Sequence, residues 1–218
     1  MAYRRTANVI RRLHARHDAI VDAARTAATE GGMAAIQIAP VAARAGVAAG
    51  TVYRYFPGKI ELVGALVESV AEREIAAVRR AGDAAPGPLS ALAAVIATFA
   101  ARALRDRKLA WAVIAEPVDT DTDAVRQQYR KALAGEIEAR IRAAIDGGHL
   151  PEQDAALAAA SMVGALLESL IGPLASGGLD VRAREAVQAV TLFGLRGLGV
   201  LDAHARGLVM QTALPDEA

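Results

Sequence analysis

The chain has 218 residues, of which 54% are hydrophobic and only 4% aromatic, and it contains no cysteine. Alanine and the aliphatic residues must therefore supply the core, and period-two runs of β-branched residues are scarce, so the composition predicts an all-α protein of one or two domains. The lack of cysteine excludes disulfides, cysteine-based zinc sites and thiol chemistry.

The formal net charge of +1 hides an uneven distribution of charge. Residues 1–60 contain nine Lys and Arg against three Asp and Glu, a net +6, whereas residues 61–218 contain sixteen against twenty-one, a net −5. A basic N-terminal third on an acidic remainder predicts a head that faces phosphate and a body that does not touch nucleic acid.

The chain carries no clear targeting or membrane segment. The first 20 residues are charged throughout and lack an apolar run, so we expect no signal peptide and a cytoplasmic protein. The most membrane-like stretch, residues 155–179, contains Glu168 and Pro173 and consists largely of small residues. A buried helix of a bundle explains that stretch better than a membrane span.

The N-terminal segment leads into the first predicted helix, from about residue 14 to Gly31. Four arginines precede or open it, and they form either a solvated tail or an arm that grips phosphates: Arg4, Arg5, Arg11 and Arg12. His14 and His17 lie three residues apart, but no third ligand is near them in sequence. We therefore expect structural histidines and no metal site.

Residues 41–56 predict two short helices joined by a tight turn. Gly46 provides the positive φ of a helix stop, and the apolar Val47 is expected to anchor the turn in the core. In the second helix, Val52 and Phe56 lie four residues apart on one face, and Pro57-Gly58 ends the element. This layout, from about residue 37 to 56, is that of a helix-turn-helix DNA reader.

A long amphipathic helix is predicted from Lys59 to about Arg80, followed by a linker at residues 82–88. We place the domain boundary along this helix, dividing the chain into residues 1–70 and residues 71–218. Alanine- and leucine-rich helices are predicted beyond it, with a polar, loose tail at the end: about 89–105, 107–116, 122–146, 152–175 with a break at Gly172-Pro173, and 180–201.

From Gly46 to Lys59, with Leu62 after it, the chain resembles the TetR family of bacterial transcriptional regulators. Three upstream pairs also fall where that family's pattern places them: Ala23-Ala24, Gly31-Gly32 and Val41-Ala42. The resemblance covers about residues 10–70, and the remainder is similar to the family only in being all-helical. It implies an N-terminal three-helix DNA-binding domain and a larger C-terminal helical domain for ligand binding and dimerisation.

The same resemblance implies a homodimer that binds a palindromic operator and releases it when a small molecule enters the C-terminal domain. Carried over by position, the DNA contacts fall on Gln37, Ala49, Gly50, Thr51, Tyr53, Tyr55 and Lys59. Ile38 stands where the family often has a hydroxyl residue and cannot cap a helix or contact phosphate in that way. Ala48 replaces the usual serine or threonine, which removes a side-chain N-cap typically worth about 1 kcal/mol.

The chemistry of these residues supports the implied roles independently. The hydroxyls of Thr51, Tyr53 and Tyr55 can bond phosphate or base edges, and the threonine methyl can pack on a thymine methyl. The alternative is that the two tyrosines are core aromatics. Two residues apart on a helix, however, they cannot both face one core.

Small residues mark two of the late helices. Ala160, Ser161, Gly164 and Ala165 lie on one, and Gly194 and Gly197 on the other. Each glycine costs about 1 kcal/mol relative to alanine inside a helix, which close approach of two backbones would offset. Packing within one subunit and packing across a two-fold axis explain the pattern equally well. The second would give a homodimer through helices of about 152–175 and 180–201.

A pocket between helices of the acidic body is expected to take a small, lipophilic effector, and no cofactor is expected. Candidate lining residues are Phe99, Trp111, Glu116, Tyr129, Met162, Leu166 and Glu168. Glu168, an acid within an apolar helix, could bind a cationic or hydroxylated ligand, although an exposed or satisfied glutamate is the alternative.

Other classes of function are less well supported by the sequence. It contains no Gly-x-x-x-x-Gly-Lys, His-Glu-x-x-His or Gly-x-Ser-x-Gly motif, and its four histidines show no catalytic grouping, so we do not expect an enzyme. A helical ligand-binding or scaffold protein that has lost DNA binding remains an alternative, because Ala48 lacks the expected hydroxyl. The sequence does not distinguish a repressor from an activator.

Overall fold

The computed structural model describes residues 7–175 and 183–213, and within these ranges every regular element is helical, as predicted. A 3-10 turn covers Met33–Ala35. The α-helices, numbered along the described chain, are α1 Ala7–Gly31, α2 Ile38–Arg44, α3 Ala49–Tyr55, α4 Lys59–Asp83, α5 Pro88–Arg105, α6 Arg107–Ile114, α7 Thr120–Asp146, α8 Ala155–Ala175, α9 Ala183–Gly197 and α10 Asp202–Gln211.

The first three helices and the start of α4 form a head around one apolar core. Ile20 and Ala24 of α1, Val52 of α3, and Leu62 and Leu66 of α4 are fully buried in it. These positions recur at helical spacing, so each helix turns one apolar stripe inward. Removal of this apolar surface from water is the main force that holds such short helices together.

The turn between α2 and α3 has the predicted geometry. Gly46 adopts φ 67°, and the N–H of Val47 donates to the carbonyl of Ala42 at 2.9 Å. Val47 is half-buried against the head core, which fixes the exit direction of the chain. Ala48 occupies the N-cap of α3, where its methyl group offers no oxygen to the first helical N–H groups.

The helix α4 passes from the head core into the body core without a break. Its residues Leu62, Val63, Leu66, Val67 and Val70 pack in the head, and Ala71 and Val78 pack in the body. A division of the chain at residues 70 and 71 therefore cuts through a continuous helix. We keep that division as a proposal for the domain boundary.

The body is built around α5, which contributes most of its residues to the core and contacts α4, α6, α7, α8, α9 and α10. α4 and α7 lie side by side and are joined by ion pairs. Nε and one terminal nitrogen of Arg79 donate to Glu136 at 2.9 and 2.6 Å, and Arg140 reaches Asp83 at 2.5 Å. Asp119 is the N-cap residue of α7, since its carboxylate accepts from the Thr122 N–H at 2.9 Å.

Three expectations about the C-terminal elements were wrong. The tail is not loose, because Asp202–Gln211 forms α10 with Ala205, Leu208 and Val209 buried. The helix before it ends at Gly197 rather than at residue 201, and Gly199 turns the chain at φ 97°. Gly172-Pro173 does not interrupt α8, which runs on to Ala175. At the other end of the chain, α1 begins at Ala7, a full two turns before the predicted start.

In the described part of the chain, two helices, α5 and α8, are long and apolar enough to cross a membrane by length and composition alone. The α5 segment is 67% buried inside the protein, so its place at the centre of the core accounts for its apolar character. The α8 segment has the higher mean hydropathy, 1.7, yet only 39% of it is buried. Its exposed part therefore needs a separate explanation.

We predict that α10 contributes to stability through its buried face. Leu208→Ala should lower the free energy of unfolding by about 2–3 kcal/mol, because Leu208 is only 7% exposed. Met210→Ala, on the same helix but 74% exposed, should change it by less than about 0.5 kcal/mol. Urea unfolding followed by circular dichroism compares the two. Equal effects of the two substitutions would contradict the placement of α10 against the core.

Candidate functional site

The helix α3 presents a polar and small-residue surface to solvent. Ala49, Gly50, Tyr53 and Arg54 are exposed, and Thr51 is half-buried, whereas Val52 faces the head core. Tyr53 is 53% exposed, an unusually open position for an aromatic side chain. This surface can approach another molecule closely and offers hydroxyl and guanidinium donors to phosphates or base edges.

Tyr55 is placed differently from Tyr53. Its ring contacts the rings of His17 and Phe56, with centroids 6.3 and 6.4 Å away, and the Arg54 guanidinium lies 5.8 Å from its centroid. Its hydroxyl is buried and has no hydrogen-bond partner among the described residues. Tyr55 therefore joins α3 to α1 in this conformation, and its predicted DNA contact stays a prediction.

The two outlying candidates of the head lie at the starts of α2 and α4. Gln37 is exposed at the N-cap of α2, but its side-chain amide donates to the carbonyl of Ala34 at 3.0 Å. Lys59 is half-buried and is the first residue of α4, where backbone N–H groups and the helix dipole favour an anion. Of the four arginines of the N-terminal segment, Arg11 and Arg12 are exposed on α1, and Arg4 and Arg5 lie outside the described residues.

A cavity of about 50 Å³ lies in the body among α4, α5, α6 and α7. It brings together Phe99 and Tyr129, two of the predicted ligand-binding residues. Its other walls are mostly aliphatic, and its polar wall consists of Asp106 and the pair of Glu74 and Arg102, which is joined by two hydrogen bonds of 2.7 Å. Burial, and then the nearby Glu74 carboxylate, raises the pKa of Tyr129 above its usual range, so this phenol stays neutral.

A second cavity, of about 10 Å³, lies behind the same wall and shares three of its residues with the first: Val113, Ile114 and Tyr129. Leu133, Leu167, Arg126 and Arg130 complete it. Ligand pockets usually enclose about 300–1,000 Å³, so both cavities are far too small for an effector as they stand. Binding there requires α6 and α7 to separate.

The remaining predicted ligand residues are not at these cavities. Trp111 is half-buried on α6, against the body core, and Met162 and Leu166 are buried on α8. Glu168 is exposed on the same helix. The seventh candidate, Glu116, lies at the junction of the body with the head.

The helix α6 lies between the head core and the body core and packs against both. Leu109, Ala112 and Val113 are buried in the head core, while Trp111 and Ile114 pack against the body core. A helix shared in this way cannot move relative to the body without disturbing the head. Because Leu109, Val113 and Ile114 also line the first cavity, α6 connects the cavity to the core of the head.

Three polar contacts fix α6 and its flanking residues to the end of α1. The Thr29 hydroxyl donates to Asp106 at 3.3 Å, and the Lys108 ammonium donates to the carbonyl of Glu30 at 3.1 Å. On the far side of α6, the Glu116 carboxylate accepts the backbone N–H of Met33 at 2.8 Å. Next to it, Gly32 adopts φ 70°, and a Cβ there would overlap Oε1 of Glu116.

The head has an ion pair of its own at this junction. Both terminal nitrogens of Arg44 donate to the two carboxylate oxygens of Glu30 at 2.7 Å, which ties α2 to α1. The hydrogen bonds from Arg44 hold the pKa of Glu30 below its usual value. Glu116 and Asp106 therefore contact a part of the head in which α1 and α2 are already joined by an ion pair.

Sequence reasoning missed the Glu74–Arg102 pair and Arg126. The pair joins residues 28 positions apart on different helices, so no local pattern indicates it. Arg126 did leave a signal. It falls within a stripe of α7 that is otherwise uncharged and buried, at the spacing of Thr122, Tyr129, Leu133, Ile137 and Ile141.

Comparison with known proteins supports the head most directly. Residues 20–66 match the family model of bacterial regulatory proteins, tetR family. The HTH-type transcriptional repressor KstR of Rhodococcus jostii (strain RHA1) is 35% identical over 114 residues, which are 51% of this chain and 52% of that protein. The chain thus spans about half the length of this curated relative.

Solved structures resemble the whole fold. RolR in complex with resorcinol matches with a TM-score of 0.72 and 20% identity, covering 96% of this chain and all of that one. FadR from Bacillus subtilis in complex with stearoyl-CoA matches with a TM-score of 0.67 and 21% identity, covering 80% and 97%. At these identities the likeness shows a common fold of head and body.

We predict that Gly32 and Gly46 respond differently to the same substitution. Both have a positive φ, so alanine should cost each about 1–2 kcal/mol of strain. Gly32→Ala should cost about 1–3 kcal/mol more, because its Cβ displaces the Glu116 carboxylate from Met33, whereas a Cβ at Gly46 meets nothing described within 4 Å. Denaturant unfolding measures both.

The Glu116→Ala background supplies the control for this comparison. With the carboxylate gone, Gly32→Ala should cost no more than Gly46→Ala, since only the backbone strain remains. An extra cost of Gly32→Ala that persists in that background would show that the Glu116 contact is not its cause.

Proposed function

The chain belongs to the tetR family of bacterial regulatory proteins through its N-terminal helix-turn-helix domain, and on that premise we propose that it is a ligand-responsive repressor. In this proposal a homodimer binds a palindromic operator in the cytoplasm and leaves it when a small lipophilic molecule enters the body. The observation that supports this proposal most strongly is the exposed surface of α3. This helix lies in a basic head, and residues 20–66 of that head match the family model. The family consists of regulators rather than enzymes, in agreement with the sequence-based expectation.

Operator binding is assigned to α3 and to the start of α4. Tyr53, Thr51 and Arg54 offer donors to phosphates or base edges, and Ala49 and Gly50 let the backbone come close. Lys59 and the N-terminus of α4 add a phosphate contact. A head that neutralises several phosphates should lose roughly 10³-fold in affinity between low and moderate salt.

Dimerisation is assigned to the exposed side of α8 and α9. Leu157 and Phe193 are 65% and 61% exposed, although both are large and apolar. Along α8 the exposed positions continue through Ala160, Ser161 and Gly164, which makes a stripe of small residues beside Leu157. An apolar stripe of this kind supports a protein–protein interface, because lone subunits rarely expose such surfaces.

The glycines of these two helices give different support to the two explanations, packing within one subunit and packing between two subunits. A Cβ at Gly194 would meet Sδ of Met162 at 2.9 Å and Cδ1 of Ile96 at 3.1 Å, so packing within the subunit accounts for this glycine. A Cβ at Gly164 or Gly197 would meet nothing described within 4 Å. Packing among the described residues leaves these two glycines unexplained, and close approach of a second copy would explain them.

Effector binding is assigned to the cavities between α6 and α7. RolR and FadR, which share this fold, are seen with resorcinol and stearoyl-CoA, and this supports a small-molecule effector for the present chain. The closed cavities imply that the ligand selects a conformation in which α6 has moved. Because α6 is packed in the head core, its movement would change the position of α3. The two heads of the dimer would then no longer match successive major grooves, which are about 34 Å apart, and the operator would be released.

We expect the two tyrosines of α3 to differ when each loses only its hydroxyl. Tyr53→Phe should weaken operator binding about tenfold, because an exposed hydroxyl can donate to a phosphate. Tyr55→Phe should leave affinity unchanged in this structure, where its hydroxyl is buried without an acceptor among the described residues. Fluorescence anisotropy with DNA from upstream of the gene, at several salt concentrations, measures both.

This pair of variants also tests the sequence-based prediction for Tyr55. If Tyr55→Phe reduces affinity as much as Tyr53→Phe, both hydroxyls reach the DNA and the head rearranges on binding. If neither variant changes the affinity, or no palindrome is bound in a salt-dependent way, the assignment of operator binding to α3 is wrong. Unchanged melting temperatures would show that the heads remain folded.

A second prediction concerns the subunit interface. Phe193→Asp should convert the dimer to monomers without loss of helical content, because the side chain is exposed in the single chain and would carry a buried charge in the dimer. Met210→Asp, 74% exposed on α10, is the matched control and should leave the mass unchanged. Light scattering coupled to gel filtration gives the masses. A dimer that tolerates Phe193→Asp would place the interface elsewhere.

A further inference from the structure

Arg126 is the charged residue that the body buries most completely in the described part of the chain. It is 7% exposed, on the inner stripe of α7 between Thr122 and Tyr129. Burial lowers the pKa of its guanidinium, and the charge is retained because arginine loses its proton only far above neutral pH. A buried charge of this kind is costly unless its donors are satisfied.

The partners of Arg126 are backbone carbonyls rather than a carboxylate. One terminal nitrogen donates to the carbonyl of Ala112 at 2.7 Å and the other to the carbonyl of Glu116 at 2.8 Å. No described acidic group forms an ion pair with it, and its Nε–H is buried with no acceptor among the described residues. Asp123, Glu116 and Asp119 act on it only through longer-range attraction.

A structural role accounts for two of the three donor positions. α6 ends at Ile114, and the last carbonyls of a helix lack intrahelical donors. Arg126 supplies donors to this end of α6, where a positive charge is also favoured by the helix dipole. That role leaves Nε unused, and it would not by itself require the residue to line a cavity.

The position of Arg126 relative to the cavities provides the second observation. It lines the second cavity together with Val113, Ile114, Leu133 and Leu167, which are all aliphatic. Tyr129, Val113 and Ile114 line both this cavity and the first one, so the two cavities lie next to each other, and in the proposal below a shift of α7 relative to α6 joins them. The joined space would be mostly apolar, and at one end it would meet the exposed Arg130 and the buried Arg126, whose Nε–H has no acceptor among the described residues.

We propose that Arg126 anchors the carboxylate of a lipophilic effector that enters between α6 and α7, an inference that rests on the effector-binding role proposed above. An arginine with a free N–H binds a carboxylate oxygen through a charge-assisted hydrogen bond, and the aliphatic walls take the hydrocarbon body. The polar pair at the first cavity does not compete, because Glu74 and Arg102 already satisfy each other.

The same arginine lies one contact away from the head. Arg126 holds the carbonyl of Glu116, and the Glu116 carboxylate holds the N–H of Met33. A carboxylate that draws the guanidinium toward the cavity competes with the carbonyls at the end of α6. Arg126 would therefore bind the ligand and also hold the backbone of Glu116, the residue that contacts the head.

The test compares acids with alcohols of the same shape. Octanoate and 1-octanol, and 4-phenylbutyrate and 4-phenylbutan-1-ol, are titrated into the full chain without DNA, using calorimetry and the fluorescence of Trp111, its single tryptophan. Each acid should bind roughly tenfold or more tightly than its alcohol. R126Q should abolish this preference by weakening the acids and not the alcohols.

R130Q is the matched control, because Arg130 lines the same cavity one turn further along α7 but is exposed. It should keep the preference for acids. If R126Q does not fold, R126K should fold with a reduced preference, since it keeps the charge and loses the planar fork. Equal affinities of the wild type for acid and alcohol, no binding of either acid, or a preference that survives R126Q would each overturn the proposal.

Operator binding is measured on the same preparations, so the two proposals fail separately. If the wild-type protein binds its operator but shows no preference for acids, the repressor proposal stands and the carboxylate-anchor proposal fails. If the protein prefers acids through Arg126 but binds no DNA, the carboxylate-anchor proposal stands and the repressor proposal fails.

Discussion

The shared burial of α6 is the constraint on which the rest of the structure depends. Leu109 and Val113 lie in the head core, and complete burial of such side chains is worth about 1.5–3 kcal/mol each. The Glu116–Met33 hydrogen bond, with one charged partner, is worth about as much as one of them. Apolar packing and polar contacts therefore both hold α6 to the head, and the directional polar contacts also set the position in which it is held.

This balance determines how a body ligand can act on the head. We do not expect a ligand that moves α6 to detach it, because detachment would lose the apolar contacts and the polar contacts of α6 together. The head must follow α6 instead. To shift a two-state equilibrium from 1:99 to 99:1, the ligand needs about 5.5 kcal/mol of preference for one state, which an ionic anchor and a few buried methylenes can provide.

The sequence predicted the head well because its determinants are local. Gly46, Val47 and Val52 act through φ and helical spacing over a dozen residues, and these are readable without a partner. The body candidates depended on partners far away in sequence. Glu116 contacts a backbone group 83 residues earlier, which no local pattern indicates, and its predicted role in ligand binding stays a prediction. Tyr55 and Tyr53 look equivalent in sequence, and only the packing of α1 against α3 separates them.

The elements at the end of the chain were mispredicted for a related reason. Leu208 and Val209 are two apolar residues in a short, mixed segment, which is too little periodicity to distinguish a docked helix from a loose tail. The surface that receives them is formed by α5 and α9 and is known only from the fold. Local patterns thus determine where helices can form, and tertiary contacts determine which marginal ones do.

The helix α8 links the proposed interface to the proposed effector site. Its inner face packs on α6 and α7 and places Leu167 in the second cavity beside Arg126, while its outer face carries Leu157 and Gly164. A ligand that parts α6 from α7 must also press on α8. In the proposed dimer, such a displacement reaches the partner subunit through closely packed small residues, which leave little space to absorb it. One ligand would therefore act on both heads, as release from a two-fold operator requires.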